Sequence, residues 1–345
     1  MMGVHRATWQ RACGAMTLML LVAGCSGRQA ALDPAGDQAS MIGSLWTLML
    51  WVCGLMYVLV LAFLAHALWR ARHVLSAEPL THGSMSRAEK PLRMAIGGWF
   101  GLILVGLIVL SLGSFFIDRS LANARLEDAL KIKVTAAQWW WKVEYEGETP
   151  DRNIVTANEL RLPAGRPAVI ELQAEDVIHS FWVPNLAGKQ DLIPGRINSI
   201  VLTPRREGEY RGQCAEFCGL QHAQMAFDAT VVNESDFATW RERQVQPAPA
   251  PSTPEQVRGH EIFMSGACVS CHQIVGTPAA GQTGPDLTHL ASRRSIAAGA
   301  RPYSVEALRD WLRDPHSIKP GNHMPQVQLS ESDLNALTSY LDSLK

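Results

Sequence analysis

The chain has 345 residues, 31 of them basic and 32 acidic, and 47% of its side chains are hydrophobic. That length holds two or three domains. The near-neutral charge lacks the basic surplus of a nucleic-acid binder, so DNA and RNA are excluded as partners.

Residues 1–24 carry His5, Arg6 and Arg11 ahead of the apolar run AMTLMLLVAG, the layout of an export signal peptide. The stretch LVAGC resembles the bacterial lipobox, which implies cleavage before Cys25 and a lipid on its sulfur. A plain signal anchor with an incidental cysteine is the other reading. Residues 25–40 then form an exported N-terminal tether.

Between Asp37 and Arg70 the only Asp, Glu, Lys, Arg or His side chain is His66, and from Met94 to Ile117 there is none. Both runs exceed the roughly 20 residues that cross a bilayer, and core helices of soluble proteins rarely stay apolar that long. Residues 41–69 and 94–117 are expected to form a transmembrane hairpin in the lipid bilayer. Loop 70–93 sets Arg70, Arg72, Arg87, Lys90 and Arg93 against Glu78 and Glu89, which the positive-inside rule places in the cytoplasm. Everything after residue 117 then faces the periplasmic or extracellular side. The expectation is a multi-pass protein of a bacterial inner (cell) membrane.

From Lys131 to Val232 the pattern turns to short strands: KIKVT, AVIEL, NSIVLT and FDATVV alternate with the turn clusters EGETPD, PAGRP, IPGR and PRREGE. This predicts a β-sandwich or barrel over residues 128–243. Residues 244–254, QVQPAPAPSTP, read as a semi-rigid extended linker. At about 3.1 Å per residue it spans at most about 34 Å, which tethers whatever follows and leaves little need for a strongly charged docking surface. Residues 255–345 are expected to be all-α, with Ser304 and Ser330 as N-caps before VEALRDWLRD and ESDLNALTSYLDSL and Asp333 at the capping-box position.

The stretch CAEFCGLQHAQM, residues 214–225, spaces Cys214, Cys218 and His222 four apart, so a tight loop can turn all three toward one centre. Zinc is one reading, and a disulfide between the two cysteines another, which an exported domain allows. Neither accounts for the thioether of Met225, a soft ligand that favours copper, nor for His179, 35 residues before Cys214.

The run from HSFWVPNLAGKQDLIPGRIN through GEYRGQCAEFCGLQHAQM closely resembles the cupredoxin-like periplasmic domain of cytochrome c oxidase subunit II, with its binuclear CuA copper centre. QWWWKVEY, residues 138–145, resembles that family's tryptophan-rich segment, and the likeness extends over about 40 to 243. It implies that Cys214 and Cys218 bridge two coppers, that His179 and His222 each supply a ring nitrogen, and that Met225 is a weak thioether ligand. Glu216 would give its backbone carbonyl to copper and its carboxylate to a magnesium site shared with subunit I. Trp139 would be the electron-input residue, while Trp140 and Trp141 read as packed core aromatics. Two bridging sulfurs spread one electron over two metals, so little geometry changes on reduction. Two departures stand out: the family more often has tyrosine at Trp140, and AEKPLRMAIGGWF lacks its glutamate-to-tryptophan pattern. Glu89 is the nearest candidate for a proton-uptake carboxylate, with a solvated loop acid as the other reading.

CVSCH, residues 268–272, has the form of a c-type haem site, in which Cys268 and Cys271 form thioethers and His272 ligates iron. With the downstream GPDLTHL and a helical domain of this size, it resembles a class I cytochrome c. The sixth ligand is expected to be Met324, 52 residues after His272. Met264 lies too close to Cys268, and His289, His316 and His323 remain bis-histidine candidates. Of seven cysteines, Cys13 leaves with the signal, Cys25 carries lipid, Cys53 is in a membrane helix and four hold cofactors.

These resemblances imply an electron-input subunit of a caa-type respiratory oxidase. Electrons would pass from cytochrome c or another respiratory donor through haem c and CuA to haem-copper subunit I, with subunit III in the same complex. The same cofactors would also serve a CuA-type nitric oxide reductase or a free-standing electron-transfer lipoprotein.

Overall fold

In the computed structural model, residues 26–74, 89–122, 126 and 128–345 are described. The export signal, Cys25, most of loop 70–93 and the side chain of Glu89 lie outside the described residues.

Two helices, α1 (Asp37–Val74) and α2 (Glu89–Ala122), carry the apolar runs and are long and apolar enough to cross a membrane. They outrun those runs because side-chain polarity marks where lipid ends, whereas the i→i−4 hydrogen bonds continue into polar flanks. Small residues let the two approach: a Cβ on Gly113 would sit 2.6 Å from Leu48 Cδ2. Trp51 and Phe100, among many large apolar side chains, point outward, as a lipid-facing surface requires.

The β-domain is a sandwich of two five-stranded sheets. One, in order β3–β2–β1–β5–β8, is built from Ile154–Ala157 (β3), Trp140–Tyr145 (β2), Leu130–Ala137 (β1), Ala168–Ala174 (β5) and Asn198–Leu202 (β8). The other, in order β4–β10–β9–β6–β7, comprises Glu159–Pro163 (β4), Ala226–Val232 (β10), Gly208–Cys214 (β9), His179–Trp182 (β6) and Gln190–Leu192 (β7). Alternation sets the inner face: Ile132, Val134 and Ala136 of β1 are buried, while Lys131 and Lys133 point away. Trp141 is fully buried, edge-on to Phe181 and Phe227 at 6.1 and 5.3 Å, while Trp140 is only half-buried.

A helix the strand pattern does not predict, α3 (Glu234–Gln244), closes the sandwich. Asn233 caps it by accepting from the Asp236 N–H, and Phe237 and Trp240 anchor it on Tyr145. Two apolar anchors in ESDFATWRERQ are too few to give a helical stripe. The stretch before α1 also lies along the sandwich: Ala35 N donates to Asn185 O (2.6 Å), and Asp37 and Asp33 pair with Arg205 and Arg206.

The C-terminal domain holds α4 (Pro254–Ser265), α5 (Val305–Arg313), α6 (Pro315–Ile318) and α7 (Glu331–Asp342). Gly259 of α4 meets the Ala336 carbonyl and Tyr340 of α7, so closely that no side chain would fit. Phe263, Leu337, Tyr340 and Leu341 fill the core between them. Ser304 and Ser330 cap α5 and α7 by accepting from Ala307 N and Asp333 N. Asp333 does not complete a capping box: its carboxylate accepts from the Ser330 hydroxyl and pairs with Arg258 instead.

Residues 245–253 have no helix or strand, yet Ala248 N donates to Val275 O (3.0 Å). The helical domain is docked on the sandwich. Arg294 pairs with Glu209, Arg293 stands 3.9 Å from Glu159, and Ser295 Oγ donates to Asp228. The tether alone predicts no need for such charged contacts, but the interface has them.

Candidate redox centres

β6 and β9 pair antiparallel with Phe181 opposite Cys214, which sets His179 and Cys214 at neighbouring strand ends on one rim of the sandwich. The loop from β9 to β10 then folds back over that rim and brings in Cys218, His222 and Met225. The ligand atoms of His179, Cys214 and Cys218 lie within 4.8 Å of one another, and all three residues are buried. The two Sγ atoms are 3.7 Å apart. Cys214 Sγ is 3.9 Å from His179 Nδ1, and Cys218 Sγ is 3.7 Å from His222 Nδ1 and 3.8 Å from Met225 Sδ. Glu216 O reaches Cys214 Sγ at 3.2 Å, while its carboxylate turns away to Lys189 Nζ at 3.7 Å.

The chemistry of this donor set suits soft metal. A disulfide would put the sulfurs about 2.05 Å apart, well inside the spacing seen here. The hydrogen bond shared by the two thiols, helped by His179, drives Cys214 far below the ordinary thiol range, while the same bond and burial push Cys218 up. Soft cations bind such sulfurs as thiolates, so binding a metal here would release the thiol protons. Burial alone would lower the pKa of His179, but hydrogen bonds to Cys214 and Asp176 outweigh it and raise it.

Trp139 sits in the turn between β1 and β2, only 6% exposed, and its indole Nε1 donates to Cys218 O at 2.9 Å. Gln138 Nε2 donates to the same carbonyl at 2.7 Å, so the tryptophan segment is bonded directly to the cysteine loop. A second layer that sequence reading missed is Asp176, whose Oδ1 accepts from His179 Nε2 at 2.8 Å. Its position three residues before a candidate histidine ligand is the one signal that could have found it.

In the helical domain Cys268 lies in the turn Ala267–Ser270 and Cys271 and His272 follow. His272 Nδ1 donates to Pro285 O at 2.7 Å, which leaves Nε2 as its lone-pair atom, and burial pushes the ring's pKa down. Gly284 backs this ring so closely that a Cβ would lie 2.8 Å from His272 Cε1. The two thiols are free and partly buried. These groups fit a covalently attached haem. Met324 is half-buried in the loop between α6 and α7, its N–H held by Asn322 Oδ1. Met264 packs against the domain core, and His289 Nδ1 faces Lys345 O. His316 is exposed, and the His323 ring lies tilted against Trp139 with centroids 5.5 Å apart.

Two candidate membrane helices, a sandwich with a buried thiolate and imidazole cluster, and a helical domain with a haem-attachment site define a membrane-bound electron-transfer protein. Residues 146–234 match the family described as cytochrome c oxidase subunit II, periplasmic domain, and residues 256–345 match cytochrome c. The chain is 33% identical over 339 residues, 95% of either chain, to cytochrome c oxidase subunit 2 of Alkalihalophilus pseudofirmus. It is 35% identical over 232 residues, 64% of either chain, to that of Bacillus subtilis. The crystal structure of the periplasmic domain of subunit II of cytochrome oxidase of Bradyrhizobium japonicum is 31% identical, covering 33% of this chain and 92% of that one, with a TM-score of 0.31. The chain belongs to the cytochrome c oxidase subunit II family, in the form that continues into a cytochrome c domain, and is the electron-input subunit of a respiratory oxidoreductase. The family brings a CuA copper centre and the cytochrome domain a haem c, and the work of such a subunit requires a haem-copper subunit I and a donor.

Proposed function

We propose that His179, Cys214, Cys218 and His222, with Met225 Sδ and the Glu216 carbonyl, hold the CuA coppers, and that Cys268, Cys271, His272 and Met324 hold haem c. Those groups would supply one-electron chemistry between an external donor and subunit I, where oxygen would be reduced and protons pumped. The observation that carries the reading is the 3.7 Å gap between two buried thiols with an imidazole beside each, too wide for a disulfide and suited to two bridging thiolates. Cys214 and Cys218 would supply negative charge, Asp176 aims His179, and Trp139 gives the covering surface a hydrogen bond to the Cys218 carbonyl.

Around that core, the Glu216 carboxylate is proposed for a magnesium site at the subunit I face, subunit III for the same complex, and Cys25 for lipidation. The chain would cross a bacterial cell membrane twice, at 41–69 and 94–117, joined by the cytoplasmic loop 70–93. Its redox domains, 128–243 and 255–345, joined by the linker 244–254, would lie outside.

Copper loading tests the first assignment. The purified chain is expected to hold two coppers and to show a mixed-valence electron resonance spread over both; one zinc per chain, or the spectrum of an isolated copper, would falsify it. The haem assignment has its own check. Met324→His is expected to lower the haem potential and to remove the near-infrared sulfur-to-iron band without releasing haem. Absence of that band from the parent protein would return the sixth position to a histidine.

A further inference from the structure

Two loops of the cytochrome domain meet the copper domain beside its proposed ligands. The first offers three successive carbonyls, two of them to the copper domain: Ala298 O accepts from Ala226 N (2.9 Å) and Gly299 O from Arg211 Nη1 (3.3 Å), while Ala297 O accepts from Lys319 Nζ of its own domain (3.3 Å). Ala297 and Ala298 have φ of 52° and 56°, a left-handed conformation that alanine keeps only where its surroundings hold it there. Ala226 directly follows Met225, so this strained turn is bonded to the end of the copper loop.

The second loop is Lys319–Met324. Lys319 is 3% exposed, and its Nζ donates to Trp139 O at 2.7 Å as well as to Ala297 O, one carbonyl from each domain. Pro320 O accepts from Gln221 Nε2 at 2.6 Å, next to His222. Asn322 carries the contact onward, donating from Nδ2 to Lys319 O (2.7 Å) and accepting from Met324 N (2.8 Å). Lys319, bonded through its side chain to the backbone of Trp139 and through its own carbonyl to Asn322, thus links Trp139 to the Met324 N–H. Burial pushes the Lys319 amine down to about 7, so keeping it here is costly, and an apolar side chain would fill the space without that penalty.

We propose that Lys319 is a positioning residue for electron transfer, latching the Met324 loop onto the Trp139 carbonyl so that the two redox domains work from one fixed docked arrangement rather than as a diffusing tethered pair. The inference rests on the ligand assignments above and deepens them. It is tested in the assembled oxidase with Lys319→Met, which removes the donor, and Lys319→Gln, which keeps one. Three readouts are taken: electron transfer from haem c to CuA after flash reduction, hydrogen exchange at Ala226, and the copper resonance with the sulfur-to-iron band. Lys319→Met is expected to slow transfer about tenfold, as small misplacements of reacting groups do, and to speed exchange at Ala226 with both spectra unchanged. Lys319→Gln should fall between Met and parent. Parent-like transfer and exchange in Lys319→Met would overturn the latch while leaving the ligand assignments standing. Equal slowing in both variants with Ala226 exchange unmoved would overturn it too, since docking would then not be the cause. A parent protein without the copper resonance or the sulfur-to-iron band would instead remove the assignments themselves, and the latch with them.

Discussion

Replacing Cys268 and Cys271 with serine together is expected to leave the copper centre optically intact and to cut its reduction by a natural donor about a hundredfold or more. The copper domain has its own core, from Val134 and Trp141 to Phe227 and Trp240, with no side chain borrowed from the core around Phe263 and Tyr340, so loss of haem should not unfold it. What is lost is the inlet. Trp139 is covered on one side by Lys319 and His323, and only 6% of it is exposed, too little for an incoming protein to touch. A haem domain docked beside the copper domain needs no encounter from solution, and linked partners gain about 10²–10⁴ over free ones, which sets the size of the loss. Stopped-flow reduction of CuA in the assembled oxidase, with and without the substitutions, decides it. Equal rates would mean that donors reach Trp139 directly and that the fused domain is not the obligatory entrance. Hydrogen exchange across Lys319–Met324 in the same variant reports whether the loop stays down when haem is missing.

The parts of this protein that were legible in its sequence are those whose chemistry is written in local spacing. Four-residue steps among Cys214, Cys218 and His222 need one loop only, and the sandwich that frames them shows a two-residue alternation in KIKVT, where Lys131 points out and Ile132 and Val134 point in. Ser304 and Ser330 cap their helices through N–H groups three residues away, a distance that a sequence pattern spans. Features that were not legible depend on partners far along the chain. Lys319 finds Trp139 across 180 residues, and Arg28 finds Asp228 across 200. Neither has a local pattern, because a buried lysine bonded to carbonyls reads in sequence as one more solvated cation. Asp333 shows the opposite failure: the capping-box spacing is present, but Arg258 from α4 takes its carboxylate. In α3 the helix depends on two aromatics landing on Tyr145, which no period in its own eleven residues could announce.

Asp176→Asn is expected to weaken copper binding about 10- to 100-fold, the range for losing a group that orients a metal-binding histidine. Burial by itself would raise the pKa of Asp176, but hydrogen bonds from His179 and from the N–H groups of Val177 and Gln138 outweigh it and hold the carboxyl below its ordinary range. It is therefore a carboxylate at neutral pH, with acceptors on both oxygens. Oδ1 takes His179 Nε2–H at 2.8 Å, which leaves Nδ1 as the lone-pair atom facing Cys214, and Oδ2 takes Gln138 N at 2.6 Å, beside Trp139. Asparagine matches the shape but has one acceptor. If its oxygen keeps His179, its NH₂ opposes the Gln138 N–H donor to donor. If it keeps Gln138, its NH₂ pushes the histidine into the tautomer that carries a proton on Nδ1, where a metal would sit. Either arrangement costs about the desolvation penalty of one unmatched polar group, on the order of 1–3 kcal/mol, which corresponds to that loss of affinity. Competition with a chelator measures the affinity, and the mixed-valence resonance measures the altered imidazole. Glu146→Gln, which breaks only the exposed pair with Lys131, serves as the control. An Asp176→Asn protein that releases copper at the same chelator concentration as the parent, with an unshifted resonance, would show that His179 holds its orientation by packing against Trp141 alone.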